Sequence, residues 1–163
     1  TDQVKSMETR DVAALKTSQV AALTTDQVKK GLTTDQMAVL TTAQIAGLTT
    51  DQVKVLTTDQ VVAVTTLQVG AFTTDQVQTL TTDQVKSIET RDIAALKTGQ
   101  VSTLTTDQIV KLTTDQIAAI TSTQVCALTT DQKGALTTDQ VTHLTTGTPI
   151  ILDLNGNGIE RKT

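Results

Sequence analysis

An eight-residue repeat runs through almost the whole chain and constrains the fold more than any other feature. Its consensus is Thr-Thr-Asp-Gln-Val-x-x-Leu, and seventeen units succeed one another over residues 8–144. Position five is Val, Ile or Met except at Lys133, and position eight is always apolar. Only the unit 24–32 has nine residues, with Gly31 as the expected insertion. A repeat this short cannot enclose a core alone, so neighbouring units must stack into an extended array.

A longer period lies on top of the short one. Residues 1–20 reappear as residues 82–101 with three differences. The array therefore divides into two similar blocks, 1–81 and 82–144. Because the sequence opens in the middle of a unit, we expect it to be part of a longer array.

Three backbone conformations compete for an eight-residue period. A continuous α-helix advances about 100° per residue, so its apolar stripe would wind around the helix. A β-coil places positions five and eight on opposite faces, which leaves one apolar column outside. A short helix that ends and restarts in every unit avoids both problems.

The polar half of the repeat supplies a mechanism for restarting the helix. Thr49 can cap a helix while Gln52, three residues later, reaches back to form a capping box. Leu48 and Val53 form the matching hydrophobic staple. Asp51 falls in the first turn, where the helix dipole favours an anion. The sequence therefore predicts an all-α solenoid of short capped helices, one per repeat.

Two structural points stay open at this stage. Units that begin with Glu8 or Lys16 have no good cap at position one, so the threonine at position two is a second candidate. Since Thr and Val favour strands, a β-solenoid is the alternative fold. In either fold the core is predicted to consist of apolar columns that include Val53, Leu56, Val61 and Leu80. The charges of Glu8 and Lys16, one unit apart, suggest an ion pair between adjacent coils.

The composition excludes several classes of function. The chain has one Phe, no Trp and no Tyr, so regularity must replace aromatic bulk in its core. A net charge of −4 without a basic patch argues against nucleic-acid binding. No apolar run approaches the roughly 20 residues of a membrane span. No catalytic Ser, His and acid set or phosphate loop is visible, so we expect no enzyme activity and no catalytic residue.

The remaining candidate side chains occupy the variable and polar positions. Cys126 is expected to be a small packing residue, and His143 a solvated one. The repeated Thr and Asp side chains could form a face that binds cations, glycan or ice. Charged residues interrupt position one of that face at Glu8, Lys16, Glu89 and Lys97.

The octad pattern fails after Leu144, and residues 145–163 are predicted to form a separate segment, a short strand and then a tight turn. Asp153, Asn155 and Asn157 alternate before Gly158, like the first half of a calcium loop. Calcium is the one cofactor that this pattern suggests. A turn held by Asx hydrogen bonds is the other interpretation.

Residues 149–160, PIILDLNGNGIE, resemble the PIVLDLDGDGVE-type segment of large bacterial secreted proteins of the RTX class. The octads are also similar to short-repeat arrays of long bacterial surface and secreted proteins. The resemblance implies an extracellular, calcium-rich setting, although Asn155 and Asn157 replace the usual aspartates and imply weaker calcium binding. We therefore expect a structural array, an elongated spacer or adhesin segment that is secreted or displayed on a bacterial surface. Its partner would be a cell-surface or matrix ligand.

Overall fold

The computed structural model describes residues 1–146, with side chains through Leu144. Every regular element in this range is a short helix, and none is a strand. The predicted all-α solenoid is therefore confirmed, and the β-solenoid alternative is wrong. The expected strand and the turn with Asp153, Asn155 and Asn157 lie outside the described residues.

One helix forms in each repeat. The elements are α1 Asp2–Lys5, α2 Thr9–Ala14, α3 Thr17–Ala21, a π-helix Gln27–Gly31, α4 Thr34–Val39, α5 Thr42–Gly47, α6 Thr50–Lys54, α7 Thr58–Val62, α8 Thr66–Val69, α9 Thr74–Thr79, α10 Thr82–Ser87, α11 Thr90–Ala95, α12 Thr98–Thr103, α13 Thr106–Lys111, α14 Thr114–Ala119, α15 Ser122–Ala127, α16 Thr130–Ala135 and α17 Thr138–Thr146.

The threonine at position one is the N-cap of each consensus helix. Thr49 is extended, with φ −73° and ψ 157°, and its hydroxyl accepts a hydrogen bond from the Gln52 N–H at 3.1 Å. The Gln52 side-chain oxygen accepts from the Thr49 N–H at 2.8 Å. The predicted capping box is thus present, and position one is the cap. At Lys16 and Lys97 only the glutamine half remains, because a lysine side chain has no acceptor.

The helix ends where the apolar residue of position eight turns into the core. Leu48 leaves helical geometry, with φ −60° and ψ 140°, while its N–H still bonds the carbonyl of Ile45 at 3.2 Å. The next residue, Thr49, is also extended. Two consecutive extended residues therefore form a corner, and the burial of Leu48 fixes that corner against the core.

The nine-residue unit accommodates its extra residue as a π-helix, Gln27–Gly31. A single wide turn absorbs an insertion without shifting the register of the next repeat, so Leu32 returns to a buried position. At Gly31 an added Cβ would lie 3.1 Å from both the Thr1 carbonyl oxygen and the Val4 Cβ. The wider turn thus lies close to the preceding coil. Glycine, which has no Cβ, fits there without displacing that coil.

Helices stack on the helix three repeats away. Contacts join α4 to α7, α7 to α10, and α11 to α14. Three repeats therefore make one turn, and the solenoid has three sides. We call them side A (α2, α4, α7, α10, α13, α16), side B (α3, α5, α8, α11, α14, α17) and side C (α1, the π-helix, α6, α9, α12, α15).

Positions five and eight of all three sides meet in one internal core. Val53 is fully buried, and Leu56, Val61 and Leu80 are at most 7% exposed, as predicted. The cluster is continuous from the first turn to the last described one.

The expected ion pair between Glu8 and Lys16 is wrong. Glu8 instead pairs with Arg10 of its own unit at 2.8 Å. Consecutive repeats lie on different sides of the solenoid, so residues one unit apart are not stacked neighbours.

Candidate functional site

The glutamine of position four connects one turn of the solenoid to the preceding turn. The side-chain oxygen of Gln84 accepts the N–H of its own cap, Thr81, at 2.7 Å. Its amide nitrogen donates to the carbonyls of Val53 at 3.0 Å and Leu56 at 2.7 Å. These carbonyls belong to the end of α6 and the corner after it, four repeats earlier. A single amide thus links the start of one helix to the end of another.

The same arrangement recurs in thirteen repeats of the described chain, and we call the set the glutamine ladder. Its members are at most 3% exposed. They are Gln36, Gln44, Gln52, Gln60, Gln68, Gln76, Gln84, Gln100, Gln108, Gln116, Gln124, Gln132 and Gln140.

The ladder satisfies backbone groups that short helices leave unpaired. The first N–H groups and last C=O groups of a helix have no partner within it, and here nearly every residue is close to a helix end. A hydrogen bond contributes about 1 kcal/mol net, whereas a buried group left unpaired costs about 1–3 kcal/mol. Sequence reasoning found the oxygen half of this interaction and missed the nitrogen half. The available signal was the absence of Glu at position four, because Glu completes a capping box equally well but cannot donate.

The ladder breaks at Asp92, which occupies the glutamine position of the unit 89–96. Asp92 is 2% exposed and accepts a hydrogen bond at 2.6 Å from the hydroxyl of Thr66, in the coil directly below. A carboxylate cannot donate, so within the described chain no side-chain amide reaches the carbonyls of Val61 and Val64. Glu89, the cap of this unit, makes no side-chain cap hydrogen bond either.

A small apolar cavity of about 20 Å³ lies in the core around the same turns. Val61, Val64, Ile93 and Leu96 are among its lining residues. Val64 stands where most repeats carry the larger Leu. The cavity holds about one water-sized molecule at most, and its apolar walls offer water no partners.

The outer surface is made of positions one, two, three and six. Stacking brings position three of every third repeat into one column, so each side of the solenoid has its own chemistry. The side A column is acidic after its first member, Arg10, whereas the side B and side C columns are mixed. The acidic members on side A are Asp35, Asp59, Asp83, Asp107 and Asp131.

The predicted single-residue sites have mixed outcomes. Cys126 is exposed, so its prediction as a packing residue is wrong: position six points outwards. His143 is exposed, as expected, and its Nδ1 lies 2.8 Å from the Asp139 carbonyl oxygen. Among the described residues, no three His, Cys, Asp or Glu side chains come together as a metal site. No helix in residues 1–146 is long and apolar enough to cross a bilayer.

A stack of short helices around one continuous core, joined turn to turn by a recurring bond, defines an α-solenoid repeat protein. A family profile described as "ALTTAQ repeat" matches residues 4–42, 32–66, 85–122 and 118–146. These matches cover more than half of the chain, and the chain belongs to this family. Neither the curated proteins nor the solved structures compared with it include a significant match. The family match concerns the repeat alone, and the RTX resemblance stays a prediction.

We predict that Gln84→Glu lowers the free energy of unfolding by roughly 3 kcal/mol or more. The introduced carboxylate can still accept the Thr81 N–H, but it places a buried negative charge against the carbonyls of Val53 and Leu56. Urea unfolding monitored by circular dichroism at pH 7 measures the loss. The matched control is Gln19→Glu, since Gln19 is exposed and only accepts the Lys16 N–H. Similar losses in both variants would show that the donor half of the ladder contributes nothing.

We predict that Asp92→Gln raises the free energy of unfolding by about 1–2 kcal/mol. The new amide can donate to the Val61 and Val64 carbonyls and accept from the Glu89 N–H, which outweighs the lost bond from Thr66. Thermal unfolding and amide hydrogen exchange around residues 61–64 measure the gain. Asp11→Gln is the control, because Asp11 has the same repeat position but is exposed and reaches no preceding turn. A destabilised Asp92→Gln would contradict the ladder as the preferred arrangement.

Proposed function

We propose that the chain is a non-catalytic structural array, an elongated spacer or adhesin segment of a secreted or surface-displayed bacterial protein. The observation that carries this proposal is the repetition of one bond set from turn to turn. Each repeat contacts only repeats of its own turn and of the adjacent turns, so the number of repeats sets the length of the molecule. Adding repeats extends such an array without altering its cross-section.

The inter-turn bonds also make the array suitable for holding two ends apart. The side chain of each ladder glutamine forms hydrogen bonds both with the cap of its own helix and with the corner of the preceding turn. Stacked helices lie about 8–10 Å apart, so seventeen repeats at three per turn extend over roughly 50 Å. A rod of this kind keeps its two ends at a more constant distance than a flexible linker of the same length does.

The proposal includes an extracellular location for the protein. It is supported by the resemblance of residues 149–160 to the segment of RTX-class proteins. Calcium held by Asp153, Asn155 and Asn157 would belong to the same setting. The acidic and hydroxyl-rich outer surface, with Thr at positions one and two, is compatible with that environment.

Deletion of one complete turn tests the spacer function. Removing residues 49–72, three repeats, should shorten the longest dimension by about 9 Å and leave the cross-sectional radius unchanged. Small-angle X-ray scattering measures both quantities. Removal of a single repeat, residues 57–64, is the comparison and should shorten the rod by about 3 Å. A change of cross-section after the three-repeat deletion would contradict a modular spacer.

A second candidate function is favoured by a specific observation on side A. The charged residues that interrupt position one fall on sides B and C, apart from Glu8 at the start of side A. From α4 to α16, side A therefore presents an unbroken column of Thr-Thr-Asp triplets, five turns high. A regular column of hydroxyls and carboxylates could bind cations, glycan or ice.

Calcium titration separates the two functions. A spacer should show no calcium binding outside residues 145–163, so Asp153→Asn should abolish any calcium-dependent gain in thermal stability. A side A binder should instead lose calcium in the triple variant Asp59→Asn, Asp83→Asn, Asp107→Asn. Isothermal titration calorimetry on the wild type and both variants measures the difference. Binding that only the triple variant loses would replace the spacer proposal with the binding one.

A further inference from the structure

Side B contains a surface patch without charge. The units 41–48 and 65–72, which form α5 and α8, contain no Asp, Glu, Lys, Arg or His. These two helices are in contact with each other on side B. We call the exposed surface of residues 41–47 and 65–71 the B patch. Elsewhere on side B every repeat carries at least one charged or titratable side chain.

The B patch combines one projecting apolar side chain with neighbouring small side chains. Leu67 occupies position three, where ten repeats have Asp, and it is 81% exposed. The other exposed large apolar residues of the described chain are near 40%. In the stacked helix α5, the corresponding outward positions are held by Ala43 and Ala46, which are both exposed. These small side chains let another apolar side chain approach the surface of α5 closely.

Opposite charges flank the B patch along the solenoid axis. Lys16 begins the repeat one turn before α5, and Glu89 begins the repeat one turn after α8. Neither residue caps its helix through its side chain. Lys16 makes no ion pair within the described chain, and Glu89 pairs with Arg91 of its own unit.

We propose that two copies of the chain associate through their B patches, side by side and antiparallel, around a two-fold axis between α5 and α8. In this register α5 of one copy faces α8 of the other. Leu67 of each copy packs against Ala43 and Ala46 of the other. Lys16 of each copy then faces Glu89 of the other, so both ends of the interface pair opposite charges. The surface is self-complementary, as a two-fold interface requires.

The size of the B patch sets the strength of the association. A stable complex buries about 800 Å² on each partner. Two short helices with small side chains offer only a few hundred square ångströms. The dimer is therefore weak and depends on concentration, which suits a lateral contact between arrays that are held close together.

Sedimentation velocity of the full chain, from about 10 µM to 1 mM, tests the proposal. Wild type should shift from monomer to dimer over this range. Leu67→Asp installs the consensus residue of position three, so the fold tolerates it, and it should weaken dimerisation at least about tenfold. Thr123→Asp adds the same charge at the same repeat position on side C and should leave dimerisation unchanged.

Charge reversal tests the antiparallel register. Lys16→Glu and Glu89→Lys should each weaken the dimer, and the double variant should restore it. Both substitutions are compatible with the fold, because Glu8 and Lys97 occupy position one elsewhere in the array. A wild type that stays monomeric to 1 mM, or a dimer that survives Leu67→Asp, overturns the proposal. Equal weakening by Thr123→Asp, or failure of the double variant to restore the dimer, also overturns it.

Discussion

The structure depends on the side-chain amide of glutamine, used at both of its ends. A helix of one or two turns leaves most of its N–H and C=O groups unpaired, and such a helix is unstable alone. The oxygen of Gln52 caps its own helix at the Thr49 N–H, and its nitrogen binds the corner of the preceding turn at Val20 and Leu23. Because one group performs both tasks, a helix of six residues or fewer gains hydrogen bonds at its start and at the end of a helix in the preceding turn. The apolar columns then supply the burial that holds the stack together.

The three-repeat turn determines which substitutions become neighbours. Residues that are eight apart in sequence lie on different sides, and residues three repeats apart share a column. The acidic side chains Asp59 and Asp83 are therefore neighbours, as are the uncharged units of α5 and α8 on side B. Departures from the repeat consensus look irregular along the sequence, but on the solenoid they group into three distinct surfaces. Differences between the sides of the array reside in these columns, since the core repeats the same contacts in every turn.

The sequence was sufficient for the local structure because the capping signals and the apolar positions act within one repeat. Thr49, Gln52 and Leu56 could be assigned their roles from spacing alone. The number of repeats per turn could not be derived, because any stacking of whole repeats preserves an eight-residue pattern. The inter-turn hydrogen bonds of Gln84 reach Leu56, 28 positions earlier, and Val53, 31 positions earlier. No local periodicity indicates either distance. Cys126 was misassigned for the same reason, since outward and inward positions are defined only once the turn closes.

The unit 89–96 shows how the longer period of the chain relates to its stability. Solenoid stability is a sum of repeat and nearest-neighbour terms, so a repeat with fewer bonds to the preceding turn weakens the stack locally. Asp92 removes two amide bonds from this unit, and the adjacent cavity removes packing contacts from the same turns. The Glu-Thr-Arg-Asp motif of this unit also begins the unit 8–15, ten repeats earlier. Asp11 is exposed and has no preceding turn within the described residues, so the same motif removes inter-turn bonds only where it lies inside the stack, at Asp92.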